Sequence, residues 1–184
     1  TYVSGLLRGL AANGWPVEVV LFGLEGDKAW FEPWLDKCQW VGVPETFRPA
    51  VANIAWHQAV LPGRLRRRGC DVVHIPSYRR MIALPGIPQV VTVHDCAPFR
   101  LEGKYDRFRM FYGKQMVTRL ARRTQEVIAV SQTTAEDIRE FFGVRPESLS
   151  VIYNGINHAR FYPQSLEEIR RQLPVTESWE DGWW

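Results

Sequence analysis

Five short runs of near-continuous apolar, mostly β-branched residues set the strongest constraint on this chain: VEVVLF (17–22), DVVHI (71–75), QVVTV (89–93), EVIAV (126–130) and LSVIY (149–153). Strands with one wet face alternate polar and apolar residues. Runs without that alternation suit strands covered on both faces, the usual condition of a parallel sheet. Parallel neighbours need long crossovers, and the intervening segments carry helical spacing. Residues 2–13 place Val3, Leu6, Leu7 and Leu10 on one face, and residues 105–123 do the same with Phe108, Phe111, Tyr112, Met116 and Leu120. Residues 133–142 bring Ile138, Phe141 and Phe142 together, with a Thr133/Glu136 capping-box spacing ahead of them and Gly143 as the stop. Segment 44–69 reads as helical around Val51, Ile54, Ala55 and Gln58, and Pro62 must end or kink it. The alternation predicts right-handed crossovers in a doubly wound α/β domain with a parallel sheet.

With 184 residues, 46% of them hydrophobic and 23% charged, the chain suits one compact domain, or one domain with a short appendage. No apolar run approaches the ~18 residues that span a bilayer. Cys38, Cys70 and Cys96 are odd in number and widely spaced, which argues against a disulfide framework and for a reducing, cytoplasmic setting. The first element is a helix with no strand ahead of it, so the sequence reads as starting inside its domain. Ser165 and Glu168 have capping-box spacing at the head of SLEEIRRQL, and three tryptophans follow in PVTESWEDGWW. These features divide the chain into residues 1–156, the α/β domain, and 157–184, a linker leading into a further domain.

In open parallel sheets, ligands bind beyond the carboxyl ends of the strands. His94 and Asp95 directly follow QVVTV; Ser131 follows EVIAV, Asn154 and Gly155 follow LSVIY, and Ser77 and Tyr78 follow DVVHIP. Four strands thus deliver polar residues to one rim. Each also has a plain structural reading: an Asx turn at His94-Asp95, a helix cap at Ser131, and a positive-φ turn at Asn154-Gly155.

TVHDCAPFR, then a basic helix, EVIAVSQTTAEDI and GVRPESLSVIYNGINHARFYP together resemble the N-terminal, Rossmann-like domain of glycosyltransferase family 4, retaining enzymes of GT-B architecture. The HD-x-x-P form resembles the bacterial polysaccharide mannosyltransferases. The resemblance implies that His94 lies near the transferred sugar, that Asp95 orients His94 or accepts a hydrogen bond from an acceptor hydroxyl, and that Ser131, Asn154 and Gly155 shape the cleft floor. Ser77, Tyr78 and Cys96 would join the substrate-binding rim. It implies a nucleotide-sugar donor, a glycan or lipid-linked acceptor, and neither a cofactor nor a metal. The family's glycine-rich loop and its donor-binding domain fall outside this sequence, with the basic pair that neutralises the leaving diphosphate and the glutamates eight residues apart. Charge stabilisation at the departing phosphate is therefore lacking, and transfer by this chain alone is not expected. A rival reading from another class is a non-catalytic α/β interaction module that pairs with a separate donor-binding subunit.

Other chemistries lack their motifs: there is no G-x-x-x-x-G-K-[ST], G-x-S-x-G or G-x-G-x-x-G. Cys70, His74, His94 and Cys96 make a poor metal set. At ~3.3 Å per residue, Cys70 at the start of one strand lies roughly 13 Å or more along the sheet from Cys96 beyond the end of another. From Arg100 to Arg123 there are eight Lys and Arg, interleaved with Phe108, Phe111 and Tyr112. That pattern suits a peripheral contact with anionic lipid through Lys104, Arg107, Arg109 and Lys114, at the inner face of a membrane. No nucleic-acid-binding module accompanies the charge.

Overall fold

The structure is a computed structural model that describes residues 2–84, 86–100, 107–158 and 161–172. Its strands are β1 (Val19–Leu24), β2 (Cys38–Val43), β3 (Val73–Ile75), β4 (Gln89–Val93), β5 (Glu126–Ala129) and β6 (Leu149–Val151). The helices are α1 (Tyr2–Ala12), α2 (Ala50–Ala59), α3 (Leu61–Arg67), α4 (Ala97–Arg100), α5 (Arg107–Ala121), α6 (Gln132–Asp137) and α7 (Leu166–Gln172). Every strand pairing is parallel, in the order β1-β2 in one sheet and β3-β4-β5-β6 in another. The chain divides into two compact units, residues 1–154 and 155–184, with the break two residues ahead of the expected boundary.

The expected α/β architecture is present, and β2 is an addition to it. CQWVGV carries a glutamine and a glycine, which hide it from a search for continuous β-branched runs. Gly42 and Gly23 are paired across β1 and β2, and a Cβ at Gly23 would sit 2.3 Å from the Trp40 ring, so the indole takes the space a side chain would fill. The β1-β2 sheet joins the main core where Phe22 and Phe47 pack on the buried Trp56 of α2.

In the larger sheet, Val73, Ile75, Val91, Val93, Val127 and Ala129 lie on one face by strand alternation and paired register, and all are buried. Leu65 of α3, Leu120 and Ala121 of α5, and Ala135 of α6 cover them, together with Ile138 and Phe142 in the π-helical extension of α6. The other face is not the apolar one that unbroken runs suggested. It carries His74, Thr92 and Ser150, with Val90 and Ile128 only half-buried. Continuous β-branching reported strand formation correctly but could not tell a packed face from a half-open one, because His and Thr interrupt the pattern too seldom.

Helix faces needed similar correction. Pro62 ends α2 as expected, and the chain restarts at once with Pro62 in the first turn of α3, where its missing N–H costs nothing. Val51 is 73% exposed and Ile54 and Ala55 are also exposed; Trp56 is the buried anchor. Gln58 instead donates from Nε2 to the Met81 carbonyl at 2.7 Å and accepts from the Ala83 amide at 2.9 Å. The expected Thr133/Glu136 cap is replaced by Ser131, whose hydroxyl accepts from the Thr134 amide at 3.1 Å. Gly143 stops the helix in the left-handed region at φ 62°. β6 is shorter than expected, since Ile152 and Tyr153 are exposed beyond Val151.

In the second unit, α7 has the expected capping box. The Ser165 amide and hydroxyl donate to Glu168 at 2.8 and 3.0 Å, and Ser165 Oγ accepts from the Glu168 amide at 3.3 Å. The three tryptophans lie outside the described residues.

Candidate functional site

The register aligns the strand ends that build the rim. Val93 pairs with Ala129, and Ala129 with Val151, so His94, Val130 and Ile152 stand one step beyond a common row. β3 ends two residues short of β4, and the chain from Ile75 runs through Pro76 and Ser77 beside His94. The first polar residue after the central strand is therefore flanked by two neighbouring strand ends.

His94 is half-buried, and its Nε2 lies 3.2 Å from the Pro76 carbonyl. A carbonyl only accepts, so Nε2 carries the proton, and in the neutral ring Nδ1 carries a lone pair that no described residue engages. The Tyr2 ring meets the imidazole edge-on, with centroids 4.8 Å apart and planes at 83°. Beneath it on the same sheet face, Thr92 Oγ1 bonds both the Tyr2 hydroxyl at 3.0 Å and His74 Nε2 at 2.8 Å. His74 is thus a satisfied strand histidine, and burial, with His94 adding to it, holds its pKa below the ordinary value.

The other rim residues separate into accessible and structural ones. Asp95 is exposed, and its Oδ1 accepts from the Ala97 amide at 3.0 Å, the Asx turn that opens α4. One carboxylate oxygen does this, and the group retains further acceptor capacity. Ser77 is half-buried at the entry to a 3-10 turn over Tyr78–Arg80 and makes no capping bond. Cys96 and Tyr78 depart from expectation, for both belong to the core. Burial, reinforced by Asp137 and Asp95, pushes the Cys96 thiol up to about 12, so it stays protonated and unreactive. The Tyr78 ring packs on Phe142 and Phe99, and burial raises its pKa while Arg79, donating to its hydroxyl, opposes this. Ser131 is half-buried and its hydroxyl is committed to the start of α6. Asn154 is exposed at the end of the first unit; Gly155 opens the second, without the positive φ that a tight turn would use.

One pair escaped sequence reading. Arg100, at the end of α4, donates from Nε to both oxygens of the buried Asp137 at 3.0 and 2.9 Å, and a second guanidinium nitrogen also contacts Asp137 Oδ1. This fork joins the turn after His94-Asp95 to the helix after Ser131, and bonding to Asp137 raises the Arg100 pKa. No spacing rule links positions 37 residues apart, so only the fold reveals it. The same contacts thin the basic cluster. Arg122 donates to the Phe142 carbonyl at 2.9 Å, and the half-buried Lys114 holds its ammonium 5.6 Å from the centroid of the Phe99 ring. Lys114 is therefore not the freely solvated cation expected. Lys104 and the side chains of Arg107 and Arg109 lie outside the described residues.

A cavity of about 250 Å³ lies at the opposite, amino end of the sheet, lined by Ile82, Gly86, Gln89, Leu120, Arg123 and Gln125. Its distance from the strand carboxyl ends separates it from the rim chemistry.

Residues 1–160 match the family profile described as Glycosyltransferase Family 4. The chain belongs to glycosyltransferase family 4. Its parallel α/β architecture is that of the Rossmann-like half of a GT-B glycosyltransferase. Among curated relatives, it is 34% identical over 149 residues to the MMP alpha-(1->4)-mannosyltransferase of Mycolicibacterium hassiacum, covering 73% of this chain and 34% of that protein. It is 32% identical over 91 residues to the O-antigen chain mannosyltransferase RfbU of Salmonella typhimurium, covering 50% of this chain and 25% of that protein. The matched stretch thus spans between a quarter and about a third of the length of these two relatives. Among its described residues, no helix is long and apolar enough to cross a membrane.

Proposed function

We propose that this chain is the acceptor-side half of a retaining, metal-independent glycosyltransferase that moves a hexose, mannose by analogy with both relatives, from a nucleotide-sugar to a glycan or lipid-linked acceptor. The observation that carries the reading is His94, held on the rim of a family 4 domain with its Nε2 proton spent on Pro76 and its Nδ1 lone pair unspent among the described residues. That nitrogen accepts a hydrogen bond from a sugar hydroxyl. Asp95, exposed beside it, accepts from the acceptor hydroxyl. Ser77 and Asn154 line the approach, and Ser131 holds α6 under the rim. The donor phosphates are gripped by a second domain, which supplies their charge neutralisation. The site works at the inner face of a membrane, where Lys104, Arg107 and Arg109 meet anionic lipid.

The test is His94→Ala in the protein that carries both domains. Losing a transition-state partner of this kind costs on the order of 10²-fold in kcat, with donor affinity little changed, because the phosphates are held elsewhere. A variant that keeps turnover within about threefold of wild type returns His94 to the role of a turn residue.

A further inference from the structure

We infer that Tyr2, the first described residue of α1, is a positioning residue that holds the His94 imidazole in one orientation and one tautomer; its bearing on sugar transfer rests on the role proposed above for His94. Tyr2 is itself anchored at its far end. Its hydroxyl bonds Thr92 Oγ1 at 3.0 Å, and Thr92 is fully buried and tied in turn to His74 at 2.8 Å. A tyrosine ring has two side-chain torsions, and a bond at the hydroxyl tip removes most of the freedom they allow.

The anchored ring stands edge-on to His94 at 4.8 Å and also lies 6.2 Å from His74, so it packs against both imidazoles. An imidazole likewise turns about two torsions. The Pro76 carbonyl fixes one edge of the His94 ring and Tyr2 blocks its rotation. Flipping the ring would break the Nε2–H bond to Pro76 and must carry the imidazole past the Tyr2 ring. The Nδ1 lone pair is thereby kept in a constant direction. The start of α1 becomes part of the site's framework, although nothing in a helical stretch beginning YVSGLL announces it.

Nitrogen-15 spectra of this chain labelled at histidine read the arrangement directly, because protonated and bare ring nitrogens resonate far apart. Wild type should show His94 with Nε2 protonated and Nδ1 bare, and a cross-relaxation contact between the Tyr2 and His94 ring protons. Tyr2→Leu should convert at least a third of His94 to the other tautomer, whereas Tyr2→Phe, which keeps the ring but loses its bond to Thr92, should convert a smaller fraction. Unchanged nitrogen shifts in Tyr2→Leu would overturn the inference, as would Tyr2→Phe perturbed as strongly as Tyr2→Leu. If Tyr2→Leu does not fold, the wild-type ring contact decides alone, and its absence is equally fatal. Transfer assays in the two-domain protein keep the readings apart. A tautomer shift with kcat intact supports the hold of Tyr2 on His94 and removes His94 from the chemistry; a tautomer shift with kcat lowered in Tyr2→Leu and partly restored in Tyr2→Phe supports both.

Discussion

Replacing Thr92 with valine tests the polar chain beneath the rim with little change in volume. The residue is 0% exposed, and its hydroxyl serves two partners, Tyr2 at 3.0 Å and His74 at 2.8 Å. Valine fills the same space, so no cavity opens, and the loss is that of two hydrogen bonds at about 1 kcal/mol each. Tyr2 and His74 are half-buried, so water recovers part of their bonding and the total stays near 2 kcal/mol. For a domain of this size each kcal/mol moves Tm by about 2–4 °C, which puts the expected drop at about 4–8 °C. Thr92→Ser provides the contrast: it keeps both bonds and loses a single methyl, about 1 kcal/mol. Thermal unfolding followed by circular dichroism at neutral pH should therefore rank wild type above Thr92→Ser and that above Thr92→Val. A valine variant as stable as wild type would mean that the hydroxyl chain is not formed, and the anchoring of Tyr2 would lose its basis.

Gly143→Ala should destabilise by about 1–2 kcal/mol from the left-handed backbone alone, and by more because the new Cβ would sit 2.5 Å from the Arg122 guanidinium, displacing its bond to Phe142; a denaturant midpoint equal to wild type contradicts this. His57 and His74 are both held below the ordinary histidine value of about 6.5, chiefly by burial. The unfolded chain then binds protons that the folded one refuses, so their contribution is complete above about pH 6.5 and is lost as the pH falls through that value. Tm measured between pH 8 and 5.5 should decline on acidification, and a His57→Gln/His74→Gln double variant should flatten the decline. Serine at Lys104, Arg107 and Arg109 together should weaken sedimentation with anionic vesicles by on the order of 10²-fold, at about 1 kcal/mol per cation near the surface. Lys114 is left in place because it packs on Phe99. Equal pelleting of variant and wild type, or pelleting of neither, would make these charges a solubilising surface.

The order of strands and helices was legible because it depends on local chemistry. β-branched runs at 73–75, 89–93 and 126–129 favour strands through their own side chains, and Gly143 and the Ser165/Glu168 box end and begin helices through contacts within a turn or so. The rim was legible as well, since the residue after a parallel strand lies at its carboxyl end whatever the rest of the chain does. What the rim residues do was not. His94 and Cys96 stand two apart on the same turn, yet one bonds Pro76 beside Tyr2 and the other is sealed in the core. Ser131 looks like a cleft residue until its hydroxyl is seen to be used by Thr134. Arg100 finds Asp137, and Tyr2 finds Thr92, across 37 and 90 residues of sequence. Those pairings have no periodicity to betray them. Hydrophobic spacing records only which side of an element avoids water, while partner choice across the chain is decided by how helices stack on the sheet, and that geometry exists only once the fold has formed.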